Sequence, residues 1–291
     1  MSSMGELKAH LNAVKQTRQI TNAMYLLSTS RMKKAMQNID FNLAYLNKLR
    51  VTIKDILSKA KHNDIHNHFI EQQSEGQTLF IAISSDKGLC GGFNSDVAEL
   101  TAEKMSEKND PLLFSVGSIG TSLLSAKGLH PAYSKDSMLK VPTLDTAAEV
   151  ARAIIELYRT HEVNEAFVVY TQYENAAVQK PVCRRLLPLL RRDFTDLEYE
   201  YKYTAYPIYE PDVSAVFENL VSHYVTGFMY DVFMQSAASE NCARMGAMQS
   251  ATENADGMIE ELSAQINAER QLAITNEITE ISAATDVEGA V

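Results

Sequence analysis

The stretch "VFENLVSHYVTGFMYDVFMQSAASENCARMGAMQSATENADGMIEELSAQI", residues 216–266, decides the fold. Val216, Leu220, Tyr224, Gly227, Met234, Ala238, Met245, Met248, Ala255, Ile259, Leu262 and Ile266 recur at helical spacing across it, and no proline follows Pro211. A stripe this long exceeds the roughly 8 to 20 residues of ordinary globular helices and predicts a coiled-coil strand. Its composition is uneven. Small residues alternate with methionines and leucine is scarce, which favours close helix approach and adjustable packing over maximal stability.

A second breaker-free run lies at the other end of the chain. Between Gly5 and Gly76 there is neither glycine nor proline. Leu7, Leu11 and Val14 open a stripe that Met36, Ile39, Leu43, Leu46, Leu49, Ile53 and Ile56 continue, predicting one helix that ends near Lys59, before the polar run "KHNDIHNH". Some 55 residues at helical rise would span on the order of 80 Å.

Charge divides the same way. Residues 1–61 hold 11 Lys and Arg against 3 Asp and Glu, residues 210–291 hold 2 against 14, and the whole chain carries −10. A basic first helix and an acidic last helix are complementary, so an antiparallel pair is the expected geometry. A nucleic-acid stripe is the rival reading of the basic end, but the aromatics of a stacking platform are sparse there.

The middle reads as α/β. "TLFIAIS" (78–84), "PLLFSVG" (111–117), "EAFVVYTQY" (165–173) and "LEYEYKYTAY" (197–206) have strand character, while "SDVAELTAEKMSEK" and "TAAEVARAIIELYRTH" have helical period. That alternation predicts a sheet covered by helices, with the strand order left open. The expected organisation is an N-terminal coiled-coil helix (1–60), a central Rossmann-like α/β domain (77–209), a C-terminal coiled-coil helix (210–285) and a short tail (286–291).

With 45% hydrophobic and 22% charged residues the chain can bury an ordinary core. Cys90, Cys183 and Cys242 form no CxxC pattern, which suits a reducing compartment without disulfides. No apolar run approaches the roughly 18 residues of a membrane span, and "MSSMGELKAH" lacks the layout of a signal peptide. Membrane association would therefore run through a partner.

Candidate chemistry is thin. "SSDKGLCGGFN" (84–94) joins a strand to a helix, where phosphate loops occur, yet it does not match GxGxxG, and GxxxxGK[ST] is absent. A tight packing turn is the better reading. Cys90 could act as a nucleophile only beside a base; His130 and His161 are available, but nothing ties either to the loop. His62, His66 and His68 are spaced like ligands, but without HExxH or a nearby cysteine they read as a solvated helix end. No catalytic residue, cofactor site or metal site is expected. An α/β enzyme using Cys90 and a coiled-coil adaptor or tether with an α/β head are the competing classes.

One feature of the last helix has no use in its own core. In "NAERQLAITNEITEI" (267–281), Arg270, Gln271, Thr275 and Glu277 stand among Leu272, Ile274, Ile278 and Ile281. Together with "QTRQITNAMYLLSTSRMKKAM" (16–36), "SDKGLCGGFN" and the run that opens "SAASENCARMGAM" at residue 236, this segment resembles the gamma subunits of F-type ATP synthases. The resemblance extends over nearly the whole chain and keeps the order of the segments.

It implies a non-catalytic rotor shaft that binds no nucleotide. The terminal helices would form a left-handed antiparallel coiled coil inside a ring of three alpha and three beta subunits. The middle domain would meet the epsilon subunit and the membrane c-subunit ring, on the cytoplasmic side of a bacterial membrane. By the same resemblance, Arg270, Gln271, Thr275 and Glu277 are beta-contacting catch residues. Met24, Arg31, Lys33 and Lys34 face the acidic lever region of beta, and Lys87 and Cys90 lie near the junction with beta and epsilon.

Three departures are visible. Ala9, His10, Leu11 and Asn12 stand where family members usually carry a basic cluster. Asp286 and Glu288 interrupt a tip that is often apolar. The inserted cysteine pair of chloroplast members is missing.

Overall fold

The computed structural model describes residues 4–59, 69–70, 76–136, 142–160, 162–176, 178–194 and 209–288. His62, His66, His68, His161, the strand expected at 197–206 and residues 289–291 lie outside the described residues. Helix α1 spans Met4–Lys59 and helix α5 spans Val213–Glu288. Between them come β1 (Gln77–Ile83), α2 (Phe93–Ser106), β2 (Leu112–Val116), α3 (Ser118–Ala126), β3 (Tyr133–Lys135), α4 (Leu144–Arg159), β4 (Val163–Tyr173), β5 (Gln179–Leu187) and a 3₁₀ turn, Arg191–Phe194.

The chain forms two compact units, Met1–Ser28 with Met245–Val291, and Thr29–Arg244. Both long helices contribute to each.

In the first unit, Leu7, Leu11 and Val14 of α1 pack on Ala255, Ile259 and Leu262 of α5. The Arg18 guanidinium donates to the Asp256 carboxylate at 2.9 Å, and the Thr21 and Thr252 hydroxyls meet at 2.8 Å. Numbers rise on one helix as they fall on the other, so the pair is antiparallel. The ion pair is about half exposed on both sides, so water and salt screen it and it adds little to stability. The apolar seam does most of the holding here.

The second unit is built on a five-stranded sheet of order β3-β2-β1-β4-β5. The first four strands are parallel and β5 runs antiparallel to β4. Central β1 is buried on both faces, which is why "TLFIAI" reads as an unbroken apolar run. Side-chain alternation then sorts it. Leu79, Ile81 and Ile83 enter a large core with Ile53 and Ile56 of α1, Val150, Ile154 and Tyr158 of α4, and Phe217, Val221, Val225, Met229 and Phe233 of α5. Phe80 and Ala82 face Val97, Ala98 and Met105 of α2 and Leu124 of α3. α4 starts at a reciprocal cap, with Thr143 Oγ1 accepting from the Thr146 N–H while Thr146 Oγ1 accepts from the Thr143 N–H.

The long helices pair in this unit as well. Ala35 and Ile39 pack on Ala237 and Ala238, and Asn42 donates to the Gly227 carbonyl at 3.0 Å. A Cβ on Gly227 would stand 3.0 Å from Leu46 Cδ2, so the close approach expected from small residues is real. The stripe itself needs correction on α1. Met36 and Leu43 are exposed, and the buried face runs through Met32, Ala35, Asn42, Leu46, Leu49, Ile53 and Ile56. A polar Asn42 at a buried position, turned to a backbone carbonyl, displaced the apparent apolar register. On α5, residues 231–234 and 236–242 are buried on every side, because the sheet and α1 enclose that stretch together.

Asp231 lies in this enclosure, 9% exposed, taking a hydrogen bond from the Gln235 amide. Burial raises its carboxyl pKa against the opposing pull of Gln235, Asn42 and Arg184. The folded chain therefore holds this proton more tightly than the unfolded chain. The contribution is complete below the ordinary value of 3.8 and is lost as pH rises through the folded value. Asp231→Asn is expected to raise the Tm of the free chain at neutral pH, with the gain vanishing toward acid. Thermal melts at successive pH values check this; a wild-type-to-variant difference that stays constant with pH contradicts it.

Candidate functional site: an overhanging helix end and a pinned loop

Two groups of candidate residues fall in the first unit. Extending the pairing of Arg18 with Asp256 and of Thr21 with Thr252, Met4 at the start of α1 comes level with about residue 270 of α5, at equal rise per residue in both helices. α5 continues as helix to Glu288. From Arg270 to Ile281 every residue is exposed, including Leu272 (58%), Ile278 (59%) and Ile281 (67%). Arg270, Gln271, Thr275 and Glu277 therefore stand on a solvent-facing helix with apolar residues interleaved. Thr275 Oγ1 donates back to the Gln271 carbonyl at 2.8 Å, a local bond that leaves the Gln271 side chain free of it. Met24, on α1, is half-buried.

The second unit carries the rest. Arg31, Lys33 and Lys34 are exposed on α1, on either side of buried Met32. Lys87 is exposed at the tip of the β1–α2 loop with Gly88 and Leu89, the latter at φ 61° and 64% exposed. Cys90 is 2% exposed. Its thiol receives a hydrogen bond from the Asn94 amide at 3.3 Å and points at the Lys87 carbonyl at 3.7 Å. Burial pushes the thiol pKa up, outweighing the hydrogen bond to Ser85 and the charge of Arg244. A buried, protonated thiol bonded to loop backbone is a packing group, and the nucleophile reading loses its chemical basis. Of the two loop candidates, Lys87 presents a side chain to solvent and Cys90 does not.

The loop is also poorly suited to phosphate. The first turn of α2 carries Asp96, whose carboxylate lies 3.0 Å from where a Cβ on Gly92 would sit. A carboxylate at that helix end opposes an anion. Asn94 instead closes the loop on itself, accepting from the Ser85 N–H and donating to Ser85 Oγ, both at 2.9 Å.

Sequence reasoning missed two residues. Arg244 is 7% exposed and donates through Nη2 to the carbonyls of Lys87 and Gly88, both at 3.2 Å. Glu240, one turn earlier and 8% exposed, holds the same guanidinium at 2.7 Å. The Glu-x-x-x-Arg spacing was the available signal, since such residues face each other on a helix. Among the described residues, no group of three or more His, Cys, Asp or Glu side chains could hold a metal ion. No described helix is long and apolar enough to cross a membrane.

Two long terminal helices that pair antiparallel, with a mixed five-stranded α/β domain between them, are the architecture in which these exposed residues stand. A family model described as ATP synthase matches residues 3–286. The ATP synthase gamma chain of Ruminiclostridium cellulolyticum is 36% identical over 290 residues, covering 96% of this chain and 97% of that one. That of Caldicellulosiruptor saccharolyticus is 33% identical over 282 residues, covering 94% and 95%. Among solved structures, a chain of the Euglena gracilis mitochondrial ATP synthase in rotational state 3 aligns at TM-score 0.68 and 15% identity, covering 99% of this chain and 95% of that chain. A chain of the Tetrahymena thermophila mitochondrial central stalk and c-ring aligns at TM-score 0.59 and 22% identity, covering 80% and 99%. These structural likenesses are of fold. The chain belongs to the ATP synthase gamma chain family.

Proposed function

We propose that this chain is the rotating central shaft of an F-type ATP synthase and performs no chemistry itself. Its terminal helices, 1–60 and 210–285, would stand inside a ring of three alpha and three beta subunits. Its middle domain, 77–209, would engage epsilon and the c-subunit ring on the cytoplasmic side of a bacterial membrane. Ion flow through the c ring turns the shaft, and the shaft drives the beta subunits in turn through nucleotide-binding and nucleotide-releasing states.

The observation that carries this reading is the exposed helix from Arg270 to Ile281. A shaft shifts a partner's equilibrium only through contacts that differ between that partner's states. Polar groups that can engage and release, set among apolar residues that slide, supply such contacts. Arg270, Gln271, Thr275 and Glu277 would serve as the catch. On α1, Met24 and the exposed cations Arg31, Lys33 and Lys34 would meet acidic segments of beta, where charge steers without large net affinity. Lys87 would make a further contact at the junction with beta and epsilon, with Cys90 supporting its loop from beneath.

Capture of a tagged copy from its own cells, followed by intact-mass measurement, tests the assembly. Three copies each of two larger subunits per copy of this chain, with Mg-dependent ATPase activity, are expected. Elution of the chain alone or as a homo-oligomer without ATPase activity would return the adaptor reading.

A further inference from the structure

The β1–α2 loop is fixed from two directions by independent side chains. From α2, Asn94 ties Ser85 and Cys90 together, and from the start of α3 the Ser118 N–H donates to Asp86 Oδ1 at 3.1 Å. On the other side, a single guanidinium on α5 holds the carbonyls of Lys87 and Gly88, the two residues at the exposed tip. Arg244 is a poor choice for packing alone. It is charged and 7% exposed, and its position is defensible only because Glu240 neutralises it at 2.7 Å. Its planar fork spreads the contacts over two nitrogens, Nε reaching the Gly88 carbonyl at 3.4 Å while Nη2 serves the Lys87 carbonyl and the Glu240 carboxylate; a lysine would have to make them all from one ammonium nitrogen. The Glu240 carboxyl also feels Asp86 of the loop and Arg31 of α1, so charges on three elements converge on this one pair.

We infer that Arg244, held by Glu240, is a positioning residue that sets the conformation of the Lys87 loop relative to α5. It makes the loop tip move with the helix rather than independently of it. A contact that transmits force needs this. A freely hinged Lys87 would follow its partner instead of pushing it. The functional part of the inference rests on the proposed partner contact of Lys87; the mechanical part does not.

The buried thiol beneath the loop reports on the clamp. In full-length chain carrying Cys183→Ser and Cys242→Ala, Cys90 is the sole cysteine. Its reaction with a maleimide is slow while the loop is pinned. Arg244→Gln and Glu240→Gln are expected to speed labelling about tenfold or more through local opening, and Arg244→Lys to give an intermediate rate. Gly128→Ala, at a positive-φ position with open space around it, serves as a control for general loss of stability. Labelling at the parental rate in Arg244→Gln and Glu240→Gln overturns the clamp, and so does acceleration no greater than that of Gly128→Ala at matched loss of Tm. If Arg244→Gln fails to fold, the isosteric Glu240→Gln carries the same comparison. The variants are then assembled into the complex. Faster labelling with reduced ATP turnover supports both parts. Faster labelling with unchanged turnover retains the clamp and overturns the partner role of the loop.

Discussion

Gln271→Ala combined with Thr275→Val is expected to lower ATP hydrolysis by the assembled complex about tenfold, equivalent to about 1.4 kcal/mol of lost coupling. The free chain should melt within about 1 °C of the parent, because exposed positions without buried partners contribute little to stability. Both side chains stand on the stretch of α5 that passes beyond the start of α1, where every residue from Arg270 to Ile281 is exposed. Thr275 loses only its bond to the Gln271 carbonyl, whose backbone remains in the helical ladder. The whole effect must therefore arise in contacts made by the assembly. Steady-state hydrolysis beside a thermal melt measures the two quantities. Unaltered turnover removes the catch, and a large fall in Tm would mean that these residues hold the fold.

Gly117→Ala should severely destabilise the α/β domain. Gly117 sits at φ 95° directly after β2, and a Cβ there would lie 2.2 Å from the Ser84 carbonyl oxygen at the end of β1. Ser84 cannot withdraw, because its N–H donates to the Val116 carbonyl at 2.8 Å and its hydroxyl to the same carbonyl at 2.7 Å. Backbone strain and overlap with backbone together should cost at least about 3 kcal/mol. Gly128→Ala, at φ 83° with nothing within 4 Å, separates the two causes and should cost about 1 kcal/mol. Equal losses at the two glycines, measured by denaturant unfolding, would contradict the packing explanation. Because Ser84 leads directly into the Lys87 loop, the same exchange should also disturb that loop.

Much of the architecture was legible before the structure, and the residues show why. The long terminal helices announce themselves through the lack of breakers between Gly5 and Gly76 and after Pro211. β1, β2 and β4 are parallel strands covered on both faces, so their apolar runs are dense. β5 escaped notice for the opposite reason. "QKPVCRRLL" carries a proline and two arginines, which an edge strand with a wet face tolerates. β3 has only three residues, and α3 carries Gly120 inside a nine-residue helix. Neither is long enough to establish a period.

The exposed candidates were found through resemblance, since a solvated face and a partner face look alike in a single sequence. Arg244 and Glu240 were hidden differently. They lie in a helix where charge reads as surface, and only the tertiary packing of α5 between the sheet and α1 buries them.

Rotation can be watched directly. The complex is fixed to a surface through its ring, and a gold rod is attached to a cysteine placed at exposed Lys127 in a background lacking the native cysteines. Supply of Mg-ATP should turn the rod in one direction, in steps of about a third of a turn, as the symmetry of a three-fold ring requires. A rod that stays at a fixed angle while the same complexes hydrolyse ATP would contradict the assignment of this chain as the shaft.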